Sequence, residues 1–206
     1  MYNIIGLGSD CSLAATLRNL ELRQFALPFD WVCSSPESLE ACFKDNFNKY
    51  HCNLKLTENK KRLVDHYGFE FPHDYPLTNT VNIDDRVGEG HIGEEEGQTI
   101  SDNWKTYYGI VKAKYDRRIE RFIKIMNDPL PLIVLSRYNI SDFEKIKDLV
   151  FNYYNKFNIV FINACHLDFQ SNNIILCNPE RGGDWNNINI WKESIDKAVT
   201  FIEENF

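Results

Sequence analysis

The sequence predicts a single α/β domain over residues 1–206, with a mainly parallel sheet and helices on both faces in a three-layer, Rossmann-like arrangement. Short apolar runs typical of buried strands alternate along the chain with amphipathic segments of helical period. Parallel strands need helical crossovers, and this alternation supplies them. The chain of 206 residues, 43% of them hydrophobic, is also long enough to bury one core without disulfides or a metal.

The first strand and the first two helices are predicted from local patterns. Residues 2–7 form a short apolar run, and leucines recur at helical spacing in the segment that follows (Leu13, Leu17 and Leu20). The chain therefore turns from strand to helix at Gly8-Ser9-Asp10-Cys11. A second helix is predicted from about Pro36 to about Phe47, because Ser34-Ser35-Pro36 combines an N-cap with proline at the first helical position.

The middle of the chain is predicted to be less regular. A strand-like alternation that starts near Leu63 breaks at Pro72, which leaves His73 and Asp74 in a turn. Residues 84–102 contain four glycines and seven acidic residues against one arginine. This composition predicts a mobile, acidic surface loop that could cover a site.

The second half of the chain predicts alternating helices and strands. A long amphipathic helix is predicted from the apolar stripe Val111, Tyr115, Ile119, Phe122 and Met126. Strands are predicted at residues 131–136, 159–162 and 174–177. Between the first two strands we expect a helix capped by Ser141, with a core face formed by Phe143, Ile146, Val150 and Tyr153, and a closing helix is expected over residues 188–202.

The composition argues against several classes of function. A net charge of −7 disfavours a nucleic-acid partner, because such proteins usually carry a strongly basic face. The six cysteines include no C-x-x-C pair and no Cys/His zinc spacing, so we expect reduced thiols, no metal and no cofactor. Without a signal-peptide pattern or a long apolar segment, we expect a cytoplasmic protein with no membrane partner. No oligomeric state is predicted.

Cys11 is the leading candidate for a catalytic residue. In an open parallel sheet, the carboxyl ends of the strands and the helix N-termini meet at one edge, where ligands bind. A thiol at a helix N-terminus faces unpaired amide N–H groups and the positive end of the helix dipole, which can lower its pKa well below ~8.5. The same N–H groups can hold an oxyanion. The alternative is that Cys11 is a small core residue.

The two residues before Cys11 have a similar double interpretation. Ser9 and Asp10 are residue types that commonly cap helices by accepting a hydrogen bond from a backbone amide. At the ligand edge of the sheet they are also candidates for binding a substrate. Both interpretations place their side chains at the first turn.

Five short motifs occur in order over the first 75 residues. They are Gly6-Leu-Gly-Ser-Asp-Cys11, Leu17-Arg18, Leu22-Arg23, Pro28-Phe-Asp-Trp31 and Phe71-Pro-His-Asp74. The series resembles the family described as putative papain-like cysteine peptidases, a domain of unknown function, with weaker matches around Leu132-Ile-Val-Leu-Ser-Arg137 and in the Trp-containing carboxyl segment. The resemblance implies a Cys–His enzyme that acts on a peptide or a small acyl substrate. It also implies a papain-like α+β fold as the alternative to three layers.

Two histidines are candidates for the general base. His73 falls on the family's histidine, so the resemblance implies that its imidazole takes the proton of the thiol. The alternative is that His73 is a surface or structural residue. His166 is the other candidate base, because it follows the strand at residues 159–162 and strand ends collect at the ligand edge.

Three further side chains are candidates for supporting roles. Asp30 is expected to orient the imidazole, with Asp74 as the alternative. If Asp30 is buried it needs a partner, and Arg18 or Arg23 can supply one equally well. Arg137 follows a buried strand, where it either clamps a substrate carboxylate or pairs with an acidic residue.

Three functions therefore remain open. The first is a cysteine-dependent hydrolase or acyltransferase, and the second is an ester- or glycan-modifying enzyme in which Ser9 or Ser12 attacks. The third is a binding protein that uses the acidic loop or the basic 112–124 helix as its contact face. A strand leads directly into the cysteine helix here, whereas papain-type folds place the histidine on an antiparallel barrel late in the chain. Cysteine chemistry is therefore expected on a different scaffold.

Overall fold

The computed structural model describes residues 1–78 and 97–206. Within these two ranges the chain forms eight strands, five α-helices and one 3₁₀ helix at Trp104–Tyr107. The strands are β1 Asn3–Gly6, β2 Lys55–Leu56, β3 Leu63–Val64, β4 Glu70–Phe71, β5 Leu132–Ser136, β6 Ile159–Ala164, β7 Phe169–Ser171 and β8 Ile174–Cys177. The helices are α1 Ser12–Asn19, α2 Pro36–Lys44, α3 Tyr108–Asn127, α4 Ile140–Tyr154 and α5 Ile188–Asn205.

The main sheet has five strands in the order β1-β5-β6-β8-β7. The first four are parallel, with Asn3 opposite Leu132 where β1 meets β5, and β7 runs antiparallel to β8. Strands β5 and β6 are buried along their whole length, because helices cover both faces and exclude water from each side. The predicted mainly parallel α/β sheet is confirmed.

Two apolar clusters, one on each face of the sheet, form the core. On one face, α1 and α5 pack through Leu17, Trp191 and other apolar residues. On the other face, α2, α3 and α4 pack against alternate side chains of the same strands, such as Val134 and Phe161. The side chains of β5 and β6 point alternately to the two clusters, as the period of a strand requires. This gives the three layers that the sequence predicted.

A second, antiparallel sheet follows α2, with strand order β2-β3-β4. Its strands have only two residues each, so apolar side chains rather than strand length hold it in place. Phe69 and Phe71 are fully buried in the cluster shared with α2 and α3. The sheet ends just before His73, so it fixes where the turn that bears the histidine begins.

Two local predictions are corrected. Helix α4 is capped by Asn139, whose side chain accepts from the amide of Asp142 at 2.9 Å, and Ser141 lies inside the helix. The asparagine cap two residues earlier begins the helix at Ile140, so Ser141 has no cap position left to occupy. Tyr153 was expected on the core face of α4 but is 40% exposed, while Leu149 is buried instead.

The predicted acidic loop lies mostly outside the described residues. Positions 84–96 belong to the part that is not described, and positions 97–102 are described. Ile100 in this second part is buried, and its amide donates to the carbonyl oxygen of Lys60 at 2.8 Å. Among the described residues, no helix is long and apolar enough to cross a membrane.

Candidate active site at the first turn

Cys11 is the N-cap residue of α1 and is half-buried. Its backbone is already helical, and its carbonyl oxygen accepts from the amide of Ala15 at 3.1 Å. Asp10 caps the helix from one position earlier, since its Oδ1 accepts from the amide of Ser12 at 2.7 Å. The thiol therefore lies at the carboxyl edge of the sheet, beside the start of a helix, as predicted.

The backbone before Cys11 is held in place from two sides. The hydroxyl of Ser9 donates to the carbonyl oxygen of Arg137 at 2.7 Å. The carbonyl oxygen of Gly8 accepts from the hydroxyls of Ser34 and Tyr138. A Cβ atom on Gly8 would lie 2.4 Å from a methyl group of the buried Leu13, so glycine lets the turn pack against α1. The first turn is thus anchored by residues far away in the chain.

Residues 31–34 connect the first turn to the turn that bears His73. The amide of Ser34 donates to the carbonyl oxygen of Ser9 at 3.3 Å. Cys33 and Glu70 exchange two backbone hydrogen bonds of 3.0 Å, which attach the segment to β4. The ring of Trp31 lies edge-on to the imidazole of His73, with 6.0 Å between centroids. The Cys11 turn and the His73 turn therefore lie against the same short segment.

Trp31 is held in an unusual backbone conformation. Its φ of 66° lies in the left-handed region, which is costly for a bulky side chain by about 1–3 kcal/mol. The guanidinium of Arg18 also neighbours the indole, at 5.0 Å from its centroid. His73 itself is 8% exposed. The indole of Trp31 therefore lies beside both the Arg18 guanidinium and the His73 imidazole.

A second cysteine lies close to the first turn. The Sγ of Cys33 accepts a hydrogen bond from the guanidinium of Arg62 at 3.3 Å, and Arg62 also binds Glu70 at 2.7 Å. Burial raises the pKa of Cys33 to about 11 despite the opposing charge of Arg62, with a smaller contribution from the negative charge of Glu70. Cys33 is therefore a thiol at neutral pH, and its position among charged groups was not anticipated from the sequence.

Asp74 is engaged by helix α3. Its carboxylate forms a buried ion pair with Lys114 and accepts from the hydroxyl of Tyr115 at 2.7 Å. Burial alone would raise the pKa of this carboxyl, but the charges of Lys114 and Arg118 outweigh burial and lower it. Asp74 is thus ionised and tied to α3, one residue after His73.

Asp30 is also held by groups near it in the chain. Its Oδ2 accepts from the amide of Leu27 at 3.0 Å and from Arg23 at 3.4 Å. Of the two arginines expected as partners, the structure therefore pairs Asp30 with Arg23. Burial raises the pKa of Asp30, although Leu27, Arg23 and Arg118 oppose the shift. The residue lies one position before Trp31 and lines a cavity near the start of β1.

Arg137 and His166 line another cavity, of about 220 Å³, at the carboxyl ends of β5 and β6. The guanidinium of Arg137 binds Glu180 at 2.7 Å and the carbonyl oxygen of Trp185 at 2.8 Å. Of the two roles expected for Arg137, the structure provides the pairing with an acidic residue. His166 is exposed in the bend that follows β6, and β6 lies two strands away from β1 in the sheet order.

The remaining candidates are placed as follows. Ser12 is completely buried, and its hydroxyl has no hydrogen-bond partner among the described residues. In the basic helix, Lys114 and Arg118 are buried, so the predicted basic contact face is smaller than the sequence indicates. Across residues 1–78 and 97–206, no group of three or more His, Cys, Asp or Glu side chains is arranged to hold a metal ion.

Two contributors to the first turn were missed from the sequence. Tyr138 donates its hydroxyl to Gly8, and a tyrosine directly after a buried strand at the ligand edge was the available signal. Trp31 belongs to the Pro28-Phe-Asp-Trp31 motif, but a tryptophan in a sequence does not indicate a left-handed backbone conformation. Tyr138 holds the backbone of the turn before Cys11, and Trp31 lies beside the ring of His73.

Comparison with known proteins gives one curated relative and one family. R408, an uncharacterized protein of Acanthamoeba polyphaga mimivirus, is 25% identical over 210 residues, which cover 97% of this chain and 86% of its own length. No solved structure matches. The family described as "Putative papain-like cysteine peptidase", a domain of unknown function, matches residues 2–178, and the chain therefore belongs to this family.

Proposed function

We propose that the protein is a cysteine-dependent hydrolase in which the thiolate of Cys11 attacks a carbonyl carbon and His73 serves as the base. The placement of Cys11 carries this proposal: it is half-buried, at the carboxyl edge of the sheet and at the N-terminus of α1. Nucleophilic cysteines occur in such partly exposed positions because the helix terminus favours the thiolate. Membership in a family described as cysteine peptidases supports the same chemistry.

The neighbouring serines are poorer nucleophiles in this arrangement. The hydroxyl of Ser9 already donates to the carbonyl oxygen of Arg137, and that of Ser12 is buried against the core. Among the described contacts of these two hydroxyls, none is with a side chain that could act as a base. Cys11 is the remaining nucleophile of the first turn, which favours the thiol reaction over the serine alternative.

The reaction proceeds through an acyl-enzyme. His73 takes the thiol proton, the sulfur adds to the carbonyl carbon, and the carbonyl oxygen becomes an oxyanion near the N-terminal amides of α1. When the oxyanion collapses, the bond to the leaving group breaks and the leaving group takes the proton from the imidazolium. Water then hydrolyses the thioester, with His73 as its base, and releases the acid and the free thiol.

Asp30 and Asp74 act as positioning residues in this proposal. Each is engaged by groups other than an imidazole, namely Arg23 for Asp30 and Lys114 for Asp74. Asp74 directly follows His73 and attaches their turn to helix α3. Asp30 holds the segment in which Trp31, the ring beside His73, is the following residue. Both carboxylates therefore support the imidazole through the backbone.

Alkylation kinetics test the nucleophile. Iodoacetamide should modify Cys11 faster than any other cysteine near neutral pH, and Cys11→Ser should abolish that fast phase. p-Nitrophenyl acetate should acetylate the same residue, with a burst of nitrophenolate, and mass spectrometry should locate the acetyl group on Cys11. His73→Gln should slow both reactions by about 10²–10⁴-fold near neutral pH and should shift the alkylation rate profile to higher pH.

Cys165→Ser is the matched control, because Cys165 is also half-buried and follows β6 at the same edge of the sheet. It should leave the fast phase unchanged. Alkylation of Cys11 only after denaturation would overturn the proposal. Equal rates for Cys11 and Cys165 would also do so, since a shared edge would then explain the reactivity. Fluorogenic peptides and acyl esters, compared on the wild-type protein, separate peptidase from esterase activity.

A further inference from the structure

The cavity lined by Asp30 lies at the edge of the sheet opposite to Cys11. It encloses about 220 Å³ near the first residues of β1 and the end of α1. This is smaller than the ~300–1,000 Å³ of drug-sized pockets, so it suits a compact ligand. The residues that matter for its chemistry are Glu21, Leu22, Arg23, Phe25, Asp30 and Ile125.

Only one of the two carboxylate oxygens of Asp30, Oδ2, accepts hydrogen bonds from the described residues. The side chain is 3% exposed, and both of its hydrogen bonds, from Leu27 and from Arg23, go to Oδ2. Within the described parts of the chain, Oδ1 accepts no hydrogen bond. The Arg23 contact of 3.4 Å is long for a charge-assisted bond, which is typically ~2.7–2.9 Å. Asp30 lines the cavity, so Oδ1 is the oxygen of this carboxylate that remains available to a ligand there.

The lining of the cavity favours a positively charged ligand. Glu21 adds a second carboxylate at the exposed rim, against one guanidinium from Arg23. Arg118 also attracts Asp30 but lies on α3 and faces Asp74 as well. Leu22, Phe25 and Ile125 supply apolar walls around these charges. Carboxylate acceptors set in apolar walls match a flat cation with N–H donors along one edge.

We propose that this cavity binds a small amidinium or guanidinium cation, which donates to Oδ1 of Asp30 and lies against the apolar walls. The cavity lies at the amino edge of the sheet and Cys11 at the carboxyl edge, so Asp30 lines the cavity while it supports the proposed hydrolase only through its positioning role. The ligand completes the half-used carboxylate, and Arg23 keeps its own contact with Oδ2.

Calorimetric titration of the full chain with three compounds of the same shape tests the site. Benzamidine is the cation, benzamide its neutral counterpart and benzoate the anion. Benzamidine should bind at least about tenfold more tightly than benzamide, and benzoate should not bind, since one good charged contact is worth at least ~1.4 kcal/mol. Asp30→Asn should weaken benzamidine by about tenfold or more, whereas Glu21→Gln at the rim should weaken it by less than about threefold.

Two further measurements keep the site distinguishable from the hydrolase. Cys11→Ser should bind benzamidine as tightly as the wild type, so loss of thiol reactivity and loss of cation binding are separate results. If Asp30→Asn fails to fold, amide chemical shifts in the wild type provide the test, and benzamidine should move those of Leu22, Leu27 and Asp30. Equal affinity for benzamidine and benzamide, or shift changes confined to the Cys11 edge, would overturn the proposal.

Discussion

His51 is a fully buried imidazole whose protonation is opposed by its surroundings. Its Nε2 lies 2.7 Å from the hydroxyl of Tyr75, and the ring of Phe71 meets it edge-on at 4.5 Å. Its Nδ1 has no partner among the described residues. Burial lowers the pKa of His51 to about 3, although the nearby charge of Asp74 opposes the shift. The folded protein therefore holds this ring neutral.

The sign of the resulting pH dependence follows from the two pKa values of His51. Below its ordinary value of 6.5 the unfolded chain takes up a proton that the folded chain refuses down to about 3. The stabilisation from a neutral His51 is complete above that window and is lost as pH falls through it, by up to about 1.4 kcal/mol per pH unit. We therefore expect the destabilisation caused by His51→Gln to shrink steadily between about pH 6.5 and about pH 3.

Denaturant unfolding of both proteins at several pH values measures this difference. Asp65 works in the opposite direction, because burial raises its pKa from 3.8 to about 6 and its contribution is lost as pH rises through that range. Since Asp65 is present in both proteins, its effect cancels in the comparison. A destabilisation that stays constant with pH would mean that His51 titrates normally in the folded state.

At the same scale, the sequence predicted contacts within the first turn better than contacts across the fold. The cap made by Asp10 and the half-buried position of Cys11 depend on a few adjacent residues, which a local pattern can express. The burial of Lys114 depends on Asp74, forty residues away, and a lysine on a helix looks like a surface residue without that partner. The cavity beside Asp30 is likewise formed by distant segments.

Helix α3 and the turn that follows β4 are joined by a charged cluster in the core. Lys114 and Asp74 are each 4% exposed and form an ion pair, and the adjacent Tyr115 donates to the same carboxylate. Arg118, one turn further along α3, adds a second positive charge near Asp74. The cluster therefore fixes one end of the His73 turn to a helix of twenty residues.

Removing one partner of this ion pair should be more harmful than removing both. Lys114→Met removes the ion-pair partner of Asp74 and leaves its carboxylate buried with an unmatched charge. We therefore expect a loss of about 3–5 kcal/mol in unfolding free energy. Asp74→Asn should leave Lys114 in the same position. The double variant should be less destabilised than either single variant, because it buries no unmatched charge. Denaturant unfolding of the four proteins gives this coupling energy.

Lys112→Met is the matched control, two residues away on the same helix. Lys112 pairs with Asp116 at i,i+4, and Asp116 is half exposed, so the loss should be at most about 0.5 kcal/mol. Additive effects in the double variant, or an equally large effect for Lys112→Met, would show that the charges of Lys114 and Asp74 do not interact in the core.

Among the elements, periodicity predicted the long ones close to their bounds and the short ones only in part. Strands β5 and β6 and helices α3 to α5 carry their pattern over many residues, so they were predicted close to their observed bounds. Strands β3 and β4 lie within the strand-like alternation predicted from near Leu63 to Pro72, but with two residues each they were not predicted as separate strands, and β2 was not predicted. They exist because Leu63, Phe69 and Phe71 are buried against α2 and α3.

For the whole molecule, the sheet order places the two proposed sites at opposite ends of the same strand. The Cys11 turn follows the carboxyl end of β1, and the cavity of Asp30 surrounds its amino end. Strand β1 is also the last strand on its side of the sheet. Alternation of strands and helices predicted the layers, but the order of the strands is a property of the complete chain and has no local signal.

The pairing of β1 with β5 also determines when the thiol site can form. Asn3 pairs with Leu132, and the anchors of the Cys11 turn, the carbonyl oxygen of Arg137 and the hydroxyl of Tyr138, come just after β5. A newly made chain therefore lacks the Arg137 and Tyr138 anchors of the Cys11 turn until about two-thirds of it has been synthesised, and closing so long a loop is slow. In refolding experiments, helical circular dichroism should recover first and the fast alkylation of Cys11 last. Late recovery would mean that the proposed catalytic turn matures only when β1 pairs with β5. Early recovery of that reactivity would mean that the turn organises itself without β5.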